Sequence, residues 1–105
     1  MLRLTDRNFK IETCDQTLPV IVMFYALWCG KCAMMKPIVE DIEKKYAGRV
    51  KFCEVDIEQS PGLAEDFTSD TVPTFVFFRG GKIVGFLQGI LSQEVLEDRM
   101  GKIFR

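Results

Sequence analysis

The chain has 105 residues, with 14 Lys+Arg against 15 Asp+Glu and a net charge of −1. That length suffices for one core and not two, so residues 1–105 are expected to form a single domain. The even charge balance excludes a phosphate-neutralising nucleic-acid binder, and the absence of His excludes His-dependent triads, Cys-His nucleophile pairs and Cys₂His₂ zinc sites.

Apolar runs alternate with helical periods from end to end, the pattern of an α/β fold with a central mixed sheet flanked by helices. Leu2-Leu4 reads as a short strand. Thr5 or Asp6 is placed to cap a helix reaching about Cys14, with Phe9 and Ile11 inward. Val20 to Ala26 is uniformly apolar, as suits a central strand covered on both faces. A helix from about Gly30 to Ala47 follows, with Ile38, Val39, Ile42 and Tyr46 at helical spacing, Pro37 inside it and Gly48 as its stop. Val50 to Asp56 is a further strand. Ser60-Pro61 opens a short helix. Thr74 to Arg79 and Lys82 to Leu87 flank Gly80-Gly81 as an antiparallel hairpin. Ser92 caps the last helix, with Leu91 and Leu96 spaced as a hydrophobic staple. The predicted order is β-α-β-α-β-α-β-β-α.

The four cysteines are Cys14, Cys29, Cys32 and Cys53. No basic region followed by an apolar stretch opens the chain, and the longest nearly apolar run, Leu18 to Cys29, is short of the roughly 20 residues of a membrane helix. No membrane association and a cytoplasmic location are therefore expected. There, a close Cys pair is catalytic or metal-binding rather than a structural staple. Cys29-Gly30-Lys31-Cys32 opens the second helix, which brings the two thiols to about 5–6 Å. Cys29 meets unpaired N–H groups and the positive end of the helix dipole, the place for a nucleophile. Cys32, one turn in, is shielded and suited to resolving a mixed disulfide. A loop this small contributes only about 2 kcal/mol as a cross-link, which favours a reversible bond. A zinc site needs further ligands, and Cys14 and Cys53 lie on separate elements. Cys53 reads as a small buried residue; Cys14, near a helix end, reads as an inert cysteine, with an exposed secondary thiol as the alternative.

The run Phe24-Tyr25-Ala26-Leu27-Trp28-Cys29-Gly30-Lys31-Cys32 resembles the active-site segment of the thioredoxin family. Pro37 resembles the bend of the following helix, Val72-Pro73-Thr74 the loop carrying a cis proline, and Gly89 the glycine beside the site. The likeness covers nearly the whole chain and implies the thioredoxin fold. It implies Cys29 as attacking thiol and Cys32 as resolving thiol. Trp28, Gly30, Val72, Pro73, Gly89 and Ile90 would form an apolar surface for clients, with Thr74 completing the loop. The backbone of Val72 would pair with the client as an added strand.

The function implied is a protein-disulfide reductase that maintains the cellular thiol redox state. Its partners would be disulfide-containing client proteins and a flavin-dependent thioredoxin reductase, with no bound cofactor or metal. The alternatives are an oxidase or isomerase on the same fold, a non-catalytic docking module, and a metal-binding protein using Cys29 and Cys32.

Three positions depart from the family pattern. Lys31 replaces a proline, which adds a cation beside Cys29, loosens the turn and pushes toward a more oxidising pair. Met23 replaces a buried Asp thought to accept the proton of the resolving cysteine. Glu54 stands where the family usually has Lys, in the otherwise apolar stretch Phe52-Cys53-Glu54-Val55. A partly buried carboxylate there would do the work of the missing Asp from the neighbouring strand.

Overall fold

In chain order the elements are β1 (Leu2–Arg3), α1 (Phe9–Thr13), β2 (Val20–Tyr25), α2 (Gly30–Lys45), β3 (Lys51–Asp56), α3 (Pro61–Phe67), β4 (Thr74–Arg79), β5 (Lys82–Gln88) and α4 (Gln93–Ile103). They come from a computed structural model that describes residues 1–67 and 71–105. The order agrees with that predicted from the sequence.

The sheet runs β1-β3-β2-β4-β5. β1 and β2 both lie parallel to β3, and β4 lies antiparallel to both β2 and β5. β2 therefore occupies the centre, and all six of its side chains are buried. Its two faces feed two cores, because successive strand residues point to opposite sides. Ile21, Met23 and Tyr25 join Met35, Val39, Ile42, Phe75, Phe77, Leu96 and Met100 beneath α2 and α4. Val20, Val22 and Phe24 join Phe9, Cys53, Val55, Leu63, Val76 and Phe78 on the other face.

Two local expectations at the first helix are corrected. α1 begins at Phe9 with Asn8 as its N-cap, rather than at Thr5 or Asp6. The reason is a preceding turn, in which the Thr5 N–H donates to Asn8 Oδ1 at 2.8 Å and the Arg7 N–H donates to Thr5 Oγ1 at 3.3 Å. In so short a helix only one stripe faces the sheet. Phe9 is buried there while Ile11 is 75% exposed.

The far end is as expected. Ser92 Oγ accepts the Val95 N–H at 3.2 Å. Leu96 lies in the α2/α4 core with Leu91 packed against it.

Gly80 and Gly81 take φ of +59° and +81°, the handedness of a tight hairpin turn matched to strand twist. A Cβ on Gly81 would lie 2.8 Å from Cys14 Sγ. Cys14 is exposed and has room to shift, so backbone conformation is the larger cost. Gly81→Ala is expected to lose about 1–2 kcal/mol of stability, read as a lower urea midpoint. An unchanged midpoint would mean the turn accepts a side chain.

Candidate active site

The reactive pair is built by the way β2 ends. The Cys29 N–H donates to the Ala26 carbonyl at 3.2 Å, closing a tight turn through Leu27 and Trp28. The turn leaves those two side chains in solvent and sets Cys29 as the N-cap of α2, with extended backbone. Cys29 Sγ then accepts the Cys32 N–H at 3.2 Å. A sulfur replaces the usual capping oxygen and meets the free amides and dipole of a helix start. The Cys29 thiol also donates to the Val72 carbonyl at 3.7 Å. Both cysteines are free thiols.

Cys32 is more enclosed. Burial, and then its hydrogen bond with Cys29, push its thiol up to about 12. Burial also pushes Cys53 up to about 12, but Cys53 faces the α1/α3 core and takes no part in the site. Among the described residues no three Cys, Asp or Glu side chains form a metal-holding group. Among those residues no helix is long and apolar enough to cross a membrane.

On the solvent side, Trp28, Cys29, Gly30, Lys31, Thr71 and Val72 line an open groove. The Val72-Pro73 bond is cis. Gly89, at φ +91°, donates its N–H to the Pro73 carbonyl at 3.0 Å. The Leu91 N–H reaches Met35 Sδ at 3.3 Å, tying the Gly89-Ile90 loop to α2. Trp28 is 66% exposed and Ile90 is also in solvent, while Val72 is half-buried.

Thr74, expected among the client-contacting residues, is a correction. It is fully buried, with Oγ1 donating to the Thr71 carbonyl at 2.6 Å and accepting from Gln88 Nε2 at 3.2 Å. Starting a central strand turns it inward. Pro73 is likewise buried, so its ring supports the groove from below.

Behind the pair, a cavity of about 130 Å³ is lined by Met23, Tyr25, Ala26, Cys29, Cys32 and Glu54, with Met1, Leu27, Ala33 and Lys36 completing it. Glu54 is only 7% exposed and pairs in register with Met23, so it faces α2 as Met23 does. Its Oε2 accepts the Tyr25 hydroxyl at 3.1 Å and Arg3 Nη2 at 3.1 Å, and the same guanidinium nitrogen donates to the Tyr25 oxygen at 2.6 Å. Burial, followed by the negative charge of Glu54, pushes Tyr25 up to about 12, which keeps it a neutral donor.

Sequence reasoning missed Tyr25, Arg3 and Lys36 here. Tyr25 was within reach, since it stands two residues beyond Met23 on the same strand face. Arg3 was not, because its place depends on the β1–β3 register.

A sequence model of the thioredoxin family matches residues 1–102. The chain belongs to the thioredoxin family. It is 34% identical to thioredoxin 1 of Nostoc sp. over 100 residues, spanning 95% of this chain and 94% of that one. Against a thioredoxin of Synechocystis sp. it is 33% identical over the same shares of the two chains. Thioredoxin M4 of Arabidopsis thaliana, a chloroplastic protein, is 35% identical over 94 residues, covering 90% of this chain and 49% of the relative. Thioredoxins are thiol–disulfide oxidoreductases, and this chain carries that activity.

Proposed function

We propose that the chain, acting as one domain over residues 1–105, reduces disulfides in client proteins through Cys29 and Cys32. The observation that carries this reading is the paired arrangement at the start of α2. Cys29 Sγ caps the helix beside an open groove, with Cys32 buried behind it.

The Cys29 thiolate attacks one sulfur of a client disulfide. The client S–S bond breaks, a Cys29–client disulfide forms and the first client thiolate leaves. Cys32, as thiolate, then attacks Cys29 Sγ. A Cys29–Cys32 bond forms, and the second client sulfur leaves with its electron pair and takes up a proton. The client gains two electrons, which the pair gives up.

Trp28, Val72 and Ile90 offer apolar contact to the client, with Gly30 and Gly89 leaving room for its backbone. The Val72 backbone adds a strand-like pairing. Lys31 places a cation at the mouth of the groove. Electrons return from a flavin-dependent thioredoxin reductase, with no cofactor bound to the chain and the cytoplasm as its compartment.

Two measurements test this reading. Insulin reduction with dithiothreitol reports turnover, and equilibration in glutathione or dithiothreitol buffers reports the reduction potential. A value near about −270 mV is expected of a reductase; one near about −120 mV would mark an oxidase and overturn the proposal. Trp28→Ala is expected to raise the KM for insulin about tenfold, as loss of an exposed aromatic anchor costs on the order of 1–2 kcal/mol. Its reaction with a small disulfide should stay unchanged. Equal losses with both substrates would place Trp28 in the chemistry rather than in docking.

A further inference from the structure

Resolution of the mixed disulfide needs Cys32 as a thiolate, and the site buries that thiol deeply enough to hold its proton. The proton must go somewhere, and the structure offers few acceptors. Titratable and charged groups approach from every element around the cavity. α2 brings Cys29, which is tied up in the mixed disulfide at this stage, and Lys36, a cation. Glu43, also on α2, accepts from the Met1 amine at 3.2 Å. β2 brings Tyr25, a neutral donor. On β3, Asp56 is occupied in the turn after the strand, its Oδ1 accepting the Glu58 N–H at 2.9 Å. β1 brings Arg3. Glu54 is the one carboxylate among the described residues that lines the cavity with Cys32.

We propose that Glu54 is the proton acceptor for Cys32, reached through water in the cavity and held in place by Tyr25 and Arg3. This rests on the dithiol exchange argued above and adds the route of its second proton. Both donors to Glu54 bind Oε2, and among the described residues none donates to Oε1, which leaves that oxygen to take a proton. A water occupies about 10–15 Å³ of such space, so about 130 Å³ holds a short chain of them. In the step, the Cys32 S–H bond breaks and its proton passes to the Glu54 carboxylate. The thiolate attacks Cys29 Sγ, and the Cys29–client bond breaks as the Cys29–Cys32 bond forms. Glu54 then returns the proton to solvent or to the departing thiolate. No further oxidant or reductant enters.

Arg3 and Tyr25 are positioning residues. They fix the carboxylate at the edge of an apolar face where Met23, directly beside it in the sheet, has a thioether that cannot take a proton.

With Glu54 taking the proton as Cys32 attacks, the rate of this step does not depend on the hydroxide concentration and stays flat with pH while the carboxylate is the acceptor. Without Glu54 the proton goes to hydroxide, and the thiolate population rises tenfold per pH unit. With the exposed third thiol removed by Cys14→Ser throughout, stopped-flow reaction with the small disulfide 5,5′-dithiobis(2-nitrobenzoate) separates the steps, because attack by Cys29 and resolution by Cys32 each release one coloured thiolate. In the unaltered protein the second phase is expected to be nearly flat from pH 6 to 8. In Glu54→Gln it should be at least tenfold slower at pH 7, within the range for general acid–base groups, and should climb tenfold per pH unit, with the first phase unchanged. Glu54→Ala gives a second route, in which added acetate should restore the second phase while having no effect on the unaltered protein.

A second phase in Glu54→Gln with the original rate and pH profile overturns the inference. So does equal slowing of both phases, or a Glu54→Ala protein that acetate does not rescue. An unaltered protein with no second phase at all would instead overturn the dithiol reading itself.

Discussion

Brief treatment of the reduced protein with iodoacetamide at pH 7 is expected to label Cys29 and the exposed Cys14 while sparing Cys32 and Cys53. Thiolates, not thiols, react with the reagent. Burial pushes the Cys32 and Cys53 thiols up to about 12, so both stay protonated at the working pH. Cys29 differs in kind. Its sulfur receives the Cys32 N–H at 3.2 Å at the positive end of α2, an arrangement that stabilises negative charge, and it lies beside the open groove. We expect Cys29 to be labelled at least about a hundredfold faster than Cys32, as read by peptide mass mapping over time. Preferential labelling of Cys32 would reverse the roles assigned to the two thiols.

The second large effect lies on the far side of the sheet. Phe9, Phe24, Phe67 and Phe78 form one aromatic cluster, with Phe24 centred 6.2 Å from Phe9 and 5.7 Å from Phe67. Phe24 is completely buried on the central strand, so its ring has packed neighbours on every side and little freedom to be replaced by collapse. Phe24→Ala is expected to destabilise the protein by about 3–5 kcal/mol, a large share of the roughly 5–15 kcal/mol that holds a domain together. Urea unfolding measures it. The cluster lies across the sheet from Cys29 and Cys32, so the variant, assayed where it is still folded, should exchange disulfides at the original rate. A loss below about 1 kcal/mol would mean that the cluster closes over the missing ring.

The contrast between Phe9 and Ile11 shows how far the sequence is legible. Long elements with a strong period, such as β2 and α2, can be read from residue type alone, because burial on two faces or on one stripe dictates composition. α1 could not be bounded in that way. It is five residues long, too short for a period to express itself, and its start is decided by a turn in which Asn8, rather than Thr5 or Asp6, takes the capping position. Thr74 illustrates a related limit. A hydroxyl residue next to Pro73 reads as part of a surface loop, yet the first residue of β4 lies under Gln88 of the paired strand, a relation that only the hairpin register reveals.

The same division applies to the site. Cys29 and Cys32 declare themselves through spacing at a helix start, where local geometry suffices. The setting of Glu54 does not, because it depends on three strands meeting in register: β1 brings Arg3, β2 brings Tyr25, and the side of the sheet that β3 presents decides whether the carboxylate meets the cavity beside Cys32 or the aromatic core on the other face. A one-residue slip of β3 would have turned Glu54 to the opposite face.

The segregation of the two cores also governs what oxidation can do to this chain. Cys53 projects into the α1/α3 core, whereas Cys29 and Cys32 lie in the other, and Cys14 sits against the hairpin turn at Gly81. A disulfide needs its two Cα atoms within about 7 Å, and a continuous sheet of hydrogen-bonded backbone keeps Cys53 from the reactive pair. Oxidation at the reactive pair is therefore not diverted into a bond with Cys53. Each turn of the redox cycle returns the same covalent structure.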